Sequence, residues 1–285
     1  MSLVADPSLP PLPTETHIRP GAQPLAGWLR EAWQTRRIAL VLAQRSLKAR
    51  YKQMALGAGW AVLQPLLLML VFWLFFGTFL KVPAGDGTSY PVFAFTGLVL
   101  WQFVARALTE ASGSIVGQPH FVTKVYFPRV HLPVASLLVA AADGAAGLAC
   151  LALLLALTGT VPGPAVLALP LVLLLLAALG TGLALWLSAL AVRYRDLTQL
   201  LPFLTQLLMF ASPVIYPSEI VPEPYRFFYA LNPLVTVLEG ARWALLGAEP
   251  PAALPAALSV VLVLALLAGG MRALRRGEPA LSDLV

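Results

Sequence analysis

Charge is what this sequence has least of. Asp, Glu, Lys and Arg make up 11% of its 285 residues and hydrophobic residues 59%, where soluble domains carry about 25% and roughly 45–50%. So few charges cannot clothe a water-facing surface around so much apolar bulk. That excludes a soluble enzyme, a disordered chain and a nucleic-acid-binding module. There is one cysteine, Cys150, inside an apolar run, so no disulfide framework exists and the thiol serves as a small hydrophobe. No G-x-x-x-x-G-K-[ST] loop is present to cradle phosphate. No H-E-x-x-H, metal-spaced Cys/His set or Ser-His-Asp arrangement can be assembled from the sequence. The three histidines, His17, His120 and His131, are scattered, and apart from Glu219 and Glu223 no two acids lie within four positions. Membrane enzymology therefore lacks its usual groups.

Long apolar runs fill the space that charge leaves. A helix crossing a bilayer needs about 20 mostly apolar residues, and that ruler predicts six spans: 60–80, 90–108, 132–157, 165–192, 197–216 and 252–271. Gly and Pro in 158–164 make a tight turn between the third and fourth. Pro202 and Pro213 interrupt the fifth, which is tolerated where a helix is buried among others. Of the 19 Lys and Arg, fifteen fall in 1–59, 109–131, 193–196 and 272–285, three fall in 81–89, 158–164 and 217–251, and Arg106 lies inside a span. This bias predicts both termini on the cytoplasmic side. The expected fold is an all-α polytopic membrane protein, with residues 25–272 as the transmembrane domain and 273–285 as a cytoplasmic tail. Residues 1–24 hold six prolines and no apolar core of a signal peptide, so they read as a flexible lead-in, and the first span is expected to target the chain.

Three segments do not read as spans. In 25–37, Leu25, Trp28, Leu29, Ala32 and Trp33 recur at helical spacing with Arg30, Gln34 and Arg37 opposite. This predicts an amphipathic helix at the headgroup boundary, or one packed on a partner. The basic stretch Arg45–Lys52 reads as a topology anchor for anionic lipid, with docking of a cytoplasmic partner as a further role. The loop 112–131 interleaves apolar residues with His120, Lys124 and Arg129, bracketed by Pro119 and Pro128; it fits a membrane-surface loop as well as a contact for a cytosolic subunit. Residues 217–251 are aromatic and then apolar, too short to cross. They predict a re-entrant helical hairpin beside a pathway mouth, although an aromatic interface belt has the same composition.

Asp143 stands alone in mid-span, flanked by Gly144, Ala145, Ala146 and Gly147. Two roles fit: an acid buried at a helix interface, facing Arg106, or a proton relay. Aromatics gather in the first span (Phe72, Trp73, Phe75, Phe76, Phe79), the second and the fifth (Phe203, Phe210, Tyr216). Aromatic faces stack on the C–H faces of sugar rings and also face lipid.

A colinear series of short motifs adds a resemblance. Arg50-Tyr51-Lys52-Gln53, Leu56-Gly57-x-x-Trp60, Gln64-Pro65-Leu66, Gly97-Leu98-x-x-Trp101, Lys124-Val125-Tyr126-Phe127-Pro128-Arg129, Leu132-Pro133, Arg195-Asp196-Leu197, Ser212-Pro213-Val214-Ile215-Tyr216-Pro217 and Leu231-Asn232-Pro233-Leu234 occur in this order. Over about residues 25–272 the chain resembles the permease of ABC-2 type polysaccharide exporters, nearest the branch carrying lipid-linked O-antigen or teichoic acid. The resemblance implies a homodimer in the inner membrane with two copies of a separate ATPase subunit, on which ATP and Mg are bound; this chain would hold no cofactor. It implies a substrate channel touched by Phe72, Trp73, Phe76, Phe79, Phe203, Phe210 and Tyr216. It further implies an outer gate at Tyr225, Phe228, Tyr229 and Asn232, and ATPase coupling through Arg50, Tyr51, Lys52, Phe121, Lys124, Tyr126 and Arg129. Rival functions are export of small drugs or lipids, an ion-coupled carrier working through Asp143, and a receptor.

Overall fold

A computed structural model describes residues 24–52, 57–83, 88–117, 127–194 and 196–284. All regular structure among them is helical. Helices α1 (Leu25–Gln34) and α2 (Arg37–Tyr51) precede five helices long and apolar enough to cross a membrane. The first three are α3 (Trp60–Phe79), α4 (Tyr90–Ala111) and α5 (His131–Leu157). A 3-10 turn at Pro164–Ala168 leads into α6 (Leu169–Arg193). Then come the shorter apolar α7 (Leu197–Phe210), two short helices α8 (Glu223–Ala230) and α9 (Pro233–Leu246), and finally α10 (Ala253–Leu284).

The fifth expected span, 197–216, departs from its prediction. Helix α7 holds 14 residues, about 21 Å at 1.5 Å per residue, against a hydrocarbon core of about 30 Å. Pro213 supplies no N–H, and the chain turns irregularly from Ala211 to Pro217. Pro202, by contrast, sits inside the helix. The last helix also differs: α10 continues through residues 273–284, so most of the expected tail extends the final helix.

The core gathers around α4. Its Leu98, Trp101, Phe103, Val104 and Ala107 pack with Leu137 and Ala140 of α5, Leu176 and Leu179 of α6, and Val237, Leu238 and Ala241 of α9. Close approach depends on missing side chains. A Cβ on Gly182 would stand 2.9 Å from the Leu267 backbone nitrogen, and one on Gly270 2.8 Å from the Gly182 carbonyl oxygen, so α6 and α10 meet backbone to backbone. On α5, Gly147 fits against Val99, while Gly144 faces open space; the small-residue surface around Asp143 is used on one side.

Helices α3 and α7 each leave a face exposed. On α3, Ala61 and Pro65 are buried, while Leu67, Leu70, Trp73, Leu74, Phe75 and Phe79 are exposed. On α7, Leu201 and Thr205 are buried and Leu200, Phe203, Leu204, Leu207 and Phe210 exposed. The exposed apolar faces of α6 and α10 are mainly aliphatic, whereas those of α3 and α7 carry Trp73, Phe75, Phe79, Phe203 and Phe210.

Gly182→Val should lower stability by about 1–3 kcal/mol through overpacking, read as a fall in the thermal midpoint of the detergent-solubilised protein. Gly144→Ala should leave that midpoint within a degree or two, since its Cβ meets open space.

Candidate functional site

The basic stretch before α3 lies against the bundle. Helix α2 runs along the first half of α5, with Ala39 and Ala43 buried and Ala43 packed on Ala135 and Val139. Small residues allow the approach, which brings the end of α2 level with Asp143. There Arg50 donates to Asp143 at 3.1 Å and Tyr51 donates its hydroxyl to the other carboxylate oxygen at 2.5 Å. Arg106 of α4 pairs with the same carboxylate, and Arg50 also pairs with Glu110. Three helices thus converge on one buried acid, and the interface role read for Asp143, with Arg106 as partner, is what the geometry shows. Burial first, then the bond to Asp143, raises the Tyr51 pKa above the ordinary phenol range, so the hydroxyl stays a donor. Just beyond Arg106 the helix widens into a π turn at Ala107–Ala111. A narrow crevice lined by Gln64, Gln102, Gly144 and Gly147 opens onto Arg106 and Asp143.

A second contact ties the two ends of the chain together. Trp28 of α1 donates its indole N–H to Glu278 of α10 at 2.6 Å, and the Arg129 backbone N–H donates to the other Glu278 oxygen at 2.6 Å. Thr35 hydrogen-bonds the His131 ring at 2.8 Å. The two tryptophans read as one apolar face therefore separate: Trp28 is 4% exposed among Ile115, Phe127, Leu132 and Leu274, and Trp33 is 69% exposed under the Arg36 guanidinium. Helix α1 has one side on protein.

The third cluster surrounds the break after α7. Asn232 caps α9, its side chain accepting from the Leu234 N–H at 3.1 Å and donating to Ser212 at 2.9 Å; Pro233 fits the first helical position. Tyr216 donates to the Phe210 carbonyl at 2.7 Å, and Tyr229 donates to the Tyr216 hydroxyl at 3.1 Å. Tyr90 of α4 donates to the Ile215 carbonyl at 2.7 Å, and Arg242 of α9 to that of Val214 at 2.9 Å. The motifs around Gly97, Ser212–Pro217 and Asn232, distant in sequence, form one assembly.

The expected channel residues divide. Trp73, Phe79, Phe203 and Phe210 are exposed, whereas Phe72 and Phe76 turn inward toward Tyr90, Phe93 and Ala94, and Tyr216 is half-buried. Of the gate residues, Tyr225 and Phe228 are exposed, and Tyr229 and Asn232 are tied to the break. Of the coupling residues, Lys52 is exposed, Arg50 and Tyr51 are committed to Asp143, and Arg129 sits at Glu278. Phe121, Lys124 and Tyr126 lie outside the described residues, as do 1–23, His120 and Arg195. Helix α2 as a helix, Glu278, Tyr90 and Arg242 went unread in the sequence. For Arg242 the signal was present as a lone cation in the apolar run Val235–Leu246.

Asp143→Ala leaves Arg106 without a counter-charge and should destabilise the protein by about 3–5 kcal/mol. Glu110→Ala, at the exposed end of the cluster, should cost under about 1 kcal/mol. Unfolding of the solubilised protein measures both.

Residues 39–246 match the family described as ABC-2 type transporter. Among curated proteins, the O-antigen export system permease protein RfbA of Myxococcus xanthus is 34% identical over 82% of this chain and 92% of its own length. A Klebsiella pneumoniae protein of the same name is 26% identical over 70% and 77%, respectively. The polysialic acid transport protein KpsM of Escherichia coli is 26% identical over 71% and 78%. The match runs from α2 to the end of α9 and takes in the assemblies at Asp143 and at Val214, though not Trp28 or Glu278, and the chain belongs to the ABC-2 type transporter family.

Proposed function

We propose that this chain is the membrane subunit of an ATP-driven exporter that moves a polyprenyl-linked polysaccharide, O-antigen-like or teichoic-acid-like, across the inner membrane from the cytoplasmic side. The observation that carries this reading is the pair of unpartnered aromatic faces on α3 and α7, in a chain whose relatives are named for O-antigen and polysialic acid transport. A homodimer would bring two such pairs around one passage. Trp73, Phe79, Phe203 and Phe210 would then offer ring faces to sugar C–H surfaces, a contact indifferent to the order of sugars and weak enough at each ring to let a polymer advance. No bond is made or broken on this chain; its work is to exclude lipid and water from the path while the polymer slides.

Energy would come from elsewhere. The sequence has no phosphate loop, so two separate ATPase subunits, carrying ATP and Mg, would bind at the end where α1, Arg129 and Glu278 meet. Lys52 and the segment 118–126 are the candidates for that contact, while Arg50 and Tyr51 would pass its motion to α4 and α5 through Asp143. In this arrangement both termini face the cytoplasm, α1 rests at the headgroup level on its Trp33 side, and α7 with the turn at 211–217 completes a sixth crossing. Helices α8 and α9 would dip back from the far side as the outer gate. The ion-coupled alternative required a free intramembrane acid, and Asp143 is bonded to Arg50, Tyr51 and Arg106.

Deleting the gene should strip polymer from the cell surface, read by glycan labelling, and accumulate polyprenyl-linked polymer in the cytoplasmic leaflet. Unchanged surface glycan with no accumulation would refute polymer export and favour a small-lipid or drug exporter.

A further inference from the structure

The chain between Ala211 and Pro217 is non-helical, yet Ser212, Pro213, Val214 and Ile215 are buried. Carbonyls freed from a helix in such surroundings need donors from elsewhere. Two arrive from different elements. Arg242 reaches the Val214 carbonyl at 2.9 Å, and the Tyr90 hydroxyl reaches that of Ile215 at 2.7 Å. Arg242 is 4% exposed, and its guanidinium carbon lies 3.6 Å from the centre of the Phe93 ring. A planar guanidinium can stack on a ring and donate from its edge in the same pose, which an ammonium cannot. Gly97 completes the fit: a Cβ there would stand 2.1 Å from the Val214 carbonyl oxygen. Helix α4 thus supplies a hydroxyl and a bare backbone against two consecutive peptides, and a ring beneath the cation that reaches the first of them.

The same segment is also held by neutral groups, of which Tyr216, Tyr229 and Asn232 are half-buried. These are the Tyr229–Tyr216–Phe210 chain of hydrogen bonds and the Asn232–Ser212 bond. The side toward α4 and α9 is therefore the more firmly fixed, with two donors of which one is a buried cation, and the side toward α8 the looser one.

We infer that Arg242 and Tyr90 are positioning residues that clamp the Val214–Ile215 backbone between α4 and α9 and so make this broken segment the fixed jaw against which α8 opens. Calling it a jaw rests on the export reading; the clamp itself is independent of what is carried. Tyr216, one residue beyond the clamped peptides, owes its place at the α7 end to it.

The test is thiol labelling of the full chain in its native membrane, in a Cys150→Ser background carrying Val214→Cys. Val214 is fully buried, so a water-soluble maleimide should not react there while the clamp is closed. Adding Arg242→Gln or Tyr90→Phe should speed labelling roughly tenfold or more, and Arg242→Lys should restore part of the protection. Val104→Cys, equally buried but on the far part of α4, should stay unlabelled throughout, which separates clamp release from unfolding. Should Arg242→Gln fail to reach the membrane, Tyr90→Phe, which removes one hydroxyl and keeps the ring, decides alone. Protection of Val214→Cys unchanged in the recovered variants, or labelling of Val104→Cys in step with it, would overturn the clamp. Neither outcome depends on the glycan, so loss of the clamp and loss of the polymer reading are told apart.

Discussion

One carboxylate holds the front half of the molecule together. Asp143 accepts from Arg50 and Tyr51 of α2 and from Arg106 of α4 while riding on α5. A buried acid in an apolar bundle is costly unless paired and fully hydrogen-bonded. Meeting that demand draws a polar N-terminal helix deep along α5. Because α2 leads directly into α3, the same bond fixes where the first long span begins. Glu278, joining α1 to α10, is a second tie between the N-terminal helices and the bundle.

The far assembly answers the same kind of demand with the roles reversed. There the backbone is the unsatisfied party, broken at Pro213, and side chains from α4 and α9 are the donors. An irregular segment inside an apolar protein persists only where such donors are supplied, and it then becomes a place where the structure can change without melting a helix. Helix α4 touches both assemblies, with Arg106 in one and Tyr90, Phe93 and Gly97 in the other. It is the most buried of the long helices and the frame that joins the two assemblies.

Much of this was legible in the sequence because the bilayer is a strict solvent. Five of the six apolar runs are helices of spanning length, and α1 begins after Pro24 as its pattern indicates. The Asp143–Arg106 pairing was readable too, since a lone mid-span acid needs a partner and Arg106 was the one cation inside a span. What composition could not separate was facing. Phe72 and Trp73 are neighbours of similar character, yet one packs inward and the other is exposed. Trp28 and Trp33 share a helical face by periodicity, but an acid 250 residues away claims the first. The basic stretch 45–52 announces itself by charge, whereas the small face of Ala39 and Ala43 that seats α2 on α5 emerges only in three dimensions.

Family membership, the unpartnered aromatic faces and the absence of a phosphate loop combine into one claim, that a polymer passes along α3 and α7. Site-specific photocrosslinking tests it most directly, with a photoreactive residue at Trp73 or Phe203 in cells making the glycan. Glycan should be captured at both positions. A probe at Leu171 or Leu174, exposed on α6, should capture lipid alone. Capture of lipid alone at Trp73 and Phe203 as well would contradict the claim and return those aromatics to the bilayer.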